Sequence, residues 1–295
     1  MTPATLAELM SEEALRELRK HPEFRAAVEA AAAQSVAHFQ KQDPTYQWIT
    51  KDIGRGAICL TALTLHMIDG LTVHALTAAC VEGGISSAGR VQQVVRRCQE
   101  MGEMTVQAGP GLWTRRRVRV GAGLIRALRE RALIDFTAML RLAPELSGAA
   151  EIAQTDDGFA TYAIAVSAVA NLRRDIFTFQ NAPPIGFFLD REAGMLILFD
   201  LIGSQAADRE RLLEEAAISR YALARRYGVS RAHINKLLAE SGHIDSIESD
   251  RVVFNPTLSR AMERHYAAVF QLNRCAAEAL LSGLRFDRGR AARRQ

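Results

Sequence analysis

Apolar residues recur along the chain mostly at spacings of three and four, the period of helices that bury one face. Val91, Val94, Val95 and Cys98 form one such set, and Ile234, Leu237 and Leu238 form another. Each set falls within about 100° of arc at 3.6 residues per turn, so each helix has a single inward face. A hydroxyl residue stands just before each set, Ser87 and Ser230, placed to accept a backbone N–H at the helix start. Alternation takes over in two places. Residues 104–107 and 113–120, around the Gly/Pro turn 108–111, read as a two-stranded hairpin, and residues 244–254 read as a second. The chain is therefore expected to be mainly α, with small two-stranded hairpins.

The same order of elements occurs twice. Asp43-Pro44, Trp48 and the apolar run 57–65 correspond to Pro183-Pro184, Phe187 and the run 193–202. Leu71-Thr72 with Ala75-Leu76 corresponds to Ile218-Ser219 with Ala222-Leu223, and the Ser87 helix corresponds to the Ser230 helix. The offset drifts between about 138 and 147 residues, as expected if loops of unequal length join matched helices. The polar stretch that follows Ser147-Gly148 predicts a division into 1–148 and 149–295.

Within each half the sharpest local pattern is helix, tight turn, helix. In residues 219–242 Ser219 caps one helix, Gly228 supplies a turn position with positive φ, and Ser230 caps the next. The outer arc of that second helix is small or polar, with His233, Asn235 and Lys236 and with Arg231 at its start. In the first half the matched outer arc holds Arg90, Gln93 and Arg96, with Gln92 and Arg97 beside them. Arg pairs bidentately with guanine and Gln with adenine, so this face suits a major groove.

Charge sharpens the contrast between the halves. The net charge is only +4, carried by 33 Arg and 4 Lys against 33 acidic residues, and a GC-rich genome accounts for the Arg excess. Its placement is a separate matter: residues 90–131 hold ten Arg and three Glu, so one segment is cationic on a mildly acidic protein. On the first hairpin Val118 and Val120 are expected on one face, Arg115, Arg117 and Arg119 on the other, and Arg116 near the tip. Such a surface fits a phosphate backbone or a narrow minor groove. The second hairpin carries Asp245, Glu248 and Asp250 against Arg251, and would repel phosphate.

Helix, helix-turn-helix, two-stranded wing and closing long helix resemble the winged-helix regulators of bacteria, and the added long helices are similar to the MarR-type subgroup. The resemblance covers residues 45–145 and 183–283. It implies a tandem winged helix-turn-helix, a fused pseudo-dimer whose halves are related by a pseudo-two-fold. Recognition helices would lie at 87–99 and 230–241 and a wing at 105–118. It further implies a sequence-specific transcription regulator acting on double-stranded DNA, as a monomeric pseudo-dimer or a homodimer. Ser87, Arg90, Gln92, Gln93, Arg96 and Arg97 would serve the first reading helix, and Arg115, Arg116, Arg117 and Arg119 the phosphates. Ser230, Arg231, His233, Asn235 and Lys236 would make a weaker second contact. A small-molecule effector near Trp48 is one reading of that residue, and core packing is the other. Plasmid-type replication initiators and tandem winged-helix interaction subunits share the architecture and remain alternatives.

No HExxH pattern, paired-carboxylate signature or Gly-rich phosphate loop points to an enzyme, a metal or a cofactor. The four cysteines have no paired spacing and read as buried thiols. The longest apolar stretches fall short of the roughly 18–20 residues that cross a bilayer. An N-terminus with Glu8, Glu12, Glu13 and Glu17 does not read as a secretory signal, so a cytoplasmic protein is expected.

Overall fold

The computed structural model describes residues 8–108, 111–177, 183–205, 209–248 and 250–283. They form fifteen α-helices and two small antiparallel sheets. The helices are α1 (Glu12–Arg19), α2 (Phe24–Lys41), α3 (Pro44–Thr50), α4 (Ile53–Met67), α5 (Val73–Glu82), α6 (Ala88–Glu100), α7 (Ala122–Met139), α8 (Gly148–Gln154), α9 (Asp156–Leu172), α10 (Arg174–Phe177), α11 (Pro183–Leu189), α12 (Gly194–Gly203), α13 (Arg220–Tyr227), α14 (Arg231–Ala239) and α15 (Pro256–Leu281). The strands are β1 (Met104–Val106), β2 (Val118–Val120), β3 (Glu215–Ala217), β4 (Ile244–Ile247) and β5 (Arg251–Phe254). Among the described residues no helix is long and apolar enough to cross a membrane.

Two compact units result, each assembled from two separate pieces of chain. The first is chiefly Gly54–Arg174 with the segment from Leu272, and the second is Thr2–Ile53 with Asp175–Gln271. The division expected from sequence at 148/149 thus falls inside the first unit.

In the first unit Ile58, Cys59, Ala62 and Leu63 of α4, Leu76 and Cys80 of α5, and Val91, Val94, Val95 and Cys98 of α6 are buried. Their i, i+3, i+4 spacing puts them on one face of each helix, where burial contributes roughly 1.5–3 kcal/mol per large aliphatic side chain. The β1–β2 hairpin adds Met104, Val118 and Val120 to this core. A second cluster lies under α7 and α9, where Tyr162 stacks on Phe159, meets Phe136 edge-on and donates to Asn273 Oδ1 at 2.6 Å. Thr155 caps α9, and the chain breaks at Arg173 between α9 and α10.

In the second unit α2 packs along α12, which is apolar except for Asp200 and buried over most of its length. Phe24 meets Phe270 edge-on, and Phe39 lies against Tyr227. Buried Tyr227 donates to the Leu196 carbonyl at 3.2 Å and to Asp200 Oδ2 at 3.1 Å, so a polar atom inside the core is satisfied. Arg209, also largely buried, pairs with Glu29 at 2.6 Å.

Both units contain one local order: a buried apolar residue, a capped helix, a turn, a second capped helix and a hairpin. The segment before the first helix pairs with the second hairpin strand each time. In the second unit this makes a three-stranded sheet in the order β3-β5-β4. In the first it is reduced to a bridge between Thr72 and Arg117, with Val118 N donating to the Leu71 carbonyl at 3.0 Å.

Candidate nucleic-acid interface

The hydroxyl caps anticipated from sequence at Ser87, Ser219 and Ser230 are formed, and Thr72 forms a fourth. Thr72 Oγ1 accepts from Ala75 N at 3.0 Å and Ser87 Oγ from Arg90 N at 3.4 Å. Ser219 Oγ accepts from Ala222 N at 3.2 Å and Ser230 Oγ from His233 N at 3.0 Å. Each cap satisfies an N–H that the first helical turn leaves without an intrahelical partner. The turns differ in length but share one device. Gly84 and Gly228 both adopt positive φ, 66° and 60°, where a Cβ would be strained.

With Val91, Val94, Val95 and Cys98 turned inward, the opposite face of α6 is exposed at Gly89, Gln93, Arg96 and Arg97, and partly so at Arg90 and Gln92. Alongside lies the hairpin. Thr105 pairs with Arg119 and Val106 with Val118, so Val118 and Val120 enter the core while Arg117 and Arg119 face out. The second strand is shorter than expected. Trp113–Arg115 forms a 3-10 turn, which takes Arg115 off the strand face, and Arg116 folds back to donate to the Gly111 carbonyl at 3.2 Å. Residues 109 and 110 of the anticipated Gly/Pro turn lie outside the described residues. Trp113 receives the Arg96 guanidinium over its ring, 5.4 Å from the centroid, tying hairpin and helix together.

Carboxylates reach some of the arginines. Arg117 pairs with Asp69 at 2.7 Å and Arg97 with Glu100 at 2.9 Å, both on the surface. Farther along the cationic segment, Arg129 pairs with Asp156 at 2.5 Å and Arg131 with Asp135 at 2.9 Å, so these two serve the fold. Among the described residues no carboxylate lies within ion-pair distance of Arg115 or Arg119.

The protons follow this arrangement. A hydrogen bond from Arg117 holds the Asp69 carboxyl below the usual carboxylate range. Burial, with Arg119 nearby, lowers His66 at the end of α4. Cys59, Cys80 and Cys98 sit on α4, α5 and α6; a hydrogen bond with Cys98, together with burial, pushes the Cys59 thiol well up, and burial pushes Cys80 to about 11. All four cysteines are free and buried, a setting in which the reactive thiolate is disfavoured. Among the described residues no three His, Cys, Asp or Glu side chains are placed to hold a metal.

The matching face of the second unit is built differently. Ser230, Arg231, Asn235 and Lys236 are exposed on α14, but the His233 ring lies 2.9 Å from the Glu192 carbonyl and so is turned toward the chain. Lys236 stands 3.9 Å from Glu240. On the hairpin Asp245, Glu248 and Asp250 are exposed, and Arg251 is paired with Glu215. Trp48 is half-buried on α3. Sequence reasoning missed Asp69, Trp113 and Glu192; the Asp69-Gly70 turn ahead of the Thr72 helix was the one signal that could have marked Asp69.

Compared with protein-family models, with curated proteins and with solved structures, the chain matches none.

Proposed function

We propose that the chain is a sequence-specific, DNA-binding transcription regulator of the cytoplasm, with two winged helix-turn-helix units in one polypeptide. The first unit supplies most of the phosphate contacts. One observation carries the reading: α6 turns Arg90, Gln93, Arg96 and Arg97 outward beside a hairpin on which Arg115 and Arg119 form no ion pair with a carboxylate among the described residues. Side chains that pair with base edges and side chains that hold phosphates then stand side by side, as major-groove reading with backbone anchoring requires. Arg90 and Gln93 are assigned to bases, each good bidentate pair contributing about 1–3 kcal/mol of discrimination. Arg115, Arg116, Arg117 and Arg119 are assigned to the backbone.

Genome-wide footprinting of the bound sites tests the reading. Sites at promoters support a regulator, whereas iterated repeats at a replication origin would make the chain an initiator. Affinity should also fall steeply as salt rises from 50 to 200 mM, by counterion release. Replacing Arg115, Arg116 and Arg117 together by Ala should weaken binding to every DNA sequence. Salt-insensitive behaviour, or unchanged affinity in that triple variant, would leave a protein-interaction module as the better description.

A further inference from the structure

The two helix-turn-helix units are alike in the order of their elements and unlike in what they offer a duplex. Residues 71–120 carry seven Arg against three Glu, and the matched residues 215–254 carry six cations against five carboxylates. Position separates them further than number. Commitment does not separate them. Around α14 Arg220 donates to the Glu248 carbonyl at 2.6 Å, Arg226 pairs with Asp200 and Arg251 with Glu215. Around α6 Arg97 pairs with Glu100, Arg117 with Asp69, and Arg116 donates to the Gly111 carbonyl. The sign of the hairpin's exposed charge does separate them. The exposed edge of the hairpin presents Asp245, Glu248 and Asp250, where the first unit presents Arg115, Arg117 and Arg119. Like charge facing phosphate costs affinity at the place where a wing would anchor it.

The reading end of the helix is also occupied. A helix-turn-helix presents to base edges the residues near the N-terminus of its second helix. At that end of α14 the His233 ring meets the Glu192 carbonyl at 2.9 Å, and the Glu192 carboxylate pairs with Lys51 at 3.2 Å. Ala193 N donates to the Lys51 carbonyl at 2.6 Å, holding the loop in place. The Lys51–Glu192 ion pair and a main-chain segment therefore border the first turn of α14.

We infer that the chain reads DNA with one arm: its target is an asymmetric sequence recognised through α6 and the β1–β2 hairpin, and the α13–α14 unit reads no bases. This rests on the DNA-binding reading above and narrows its substrate to sites without an inverted repeat. Arg225 and Arg231 remain exposed and add a sequence-independent attraction, which salt removes.

The test uses the full chain. Duplexes are selected from a random pool, and affinity for the selected duplex is then measured for three variants whose thermal unfolding matches the parent: R90A/Q93A/R96A on α6, R115A/R119A on the hairpin, and R231A/N235A/K236A on α14. The expected selection is one short motif without internal repeat. Either first-unit variant should lose tenfold or more, and the α14 variant less than twofold. An inverted or direct repeat among the selected sites, or a tenfold loss in the α14 variant, overturns the one-arm inference while DNA binding stands. A parent chain that enriches no duplex overturns the DNA-binding reading itself. The hairpin variant keeps the comparison decisive if the α6 variant fails to fold.

Discussion

Arg117 donates to Asp69 at 2.7 Å, joining the first hairpin to the turn that ends α4, 48 residues earlier. Asp69 itself has positive φ, 57°. A carboxylate thus occupies one of the guanidinium groups that the proposed function assigns to phosphates, and on that proposal DNA competes with Asp69 for it.

Asp69→Asn should therefore strengthen binding to DNA of any sequence. Asn tolerates the left-handed backbone, so the turn is kept while the charge is removed. The slope of log affinity against log salt should steepen by about 1, the contribution of one added phosphate contact. Fluorescence anisotropy across a salt series measures this, and an unchanged slope would remove Arg117 from the phosphate contacts.

Stability should rise with pH through the range in which histidine titrates. Burial lowers His66 and His243 in the folded protein, so the unfolded chain binds more protons as pH falls below about 6.5. Their full contribution is present above that value and is lost toward acid. Thermal melts at pH 7.5 and 5.5 should differ less in His66→Gln/His243→Gln than in the parent; an equal difference would place the acid sensitivity elsewhere.

Two glycines on helices should respond in opposite directions to Ala. At Gly158 a Cβ would lie 1.8 Å from the Ile152 carbonyl oxygen, backbone that cannot yield cheaply, so Gly158→Ala should destabilise by about 1–3 kcal/mol. At Gly89 a Cβ meets nothing within 4 Å, and Gly89→Ala should stabilise α6 by about 0.5–1 kcal/mol. Denaturant titrations decide both signs.

Trp113→Ala removes the ring beneath Arg96. The cation–π contact is worth about 0.5–1 kcal/mol at an exposed site. Its loss should loosen the hairpin relative to α6 and reduce discrimination between specific and random duplex more than it reduces affinity for random duplex. Equal losses on both would mean that Arg96 does not depend on Trp113 for its position.

What could be read from sequence was whatever local chemistry determines. Thr72, Ser87, Ser219 and Ser230 cap their helices because a hydroxyl three residues before a free N–H suffices, and Val91, Val94 and Val95 point inward because helical geometry makes them neighbours. Both hairpins followed from alternation and turn residues. The 3-10 turn at Trp113–Arg115 did not, since alternation of apolar and basic residues does not separate a strand from a tight turn. Contacts between residues far apart were equally hidden: Asp69 with Arg117 and Glu192 with His233 depend on where whole elements dock. The make-up of the two units escaped for the same reason. The apolar face of α2 shows that it needs a partner, but nothing in its residues names α12.

That pairing bears on how the polypeptide must be made. The buried face of α2, with Phe24, Ala27, Val28 and Ala31, emerges from the ribosome about 170 residues ahead of α12, the helix it packs along. At bacterial or eukaryotic elongation rates the wait is on the order of ten seconds. During that time an uncovered greasy helix invites chaperones or self-association, and splitting the gene at its midpoint would make the exposure permanent.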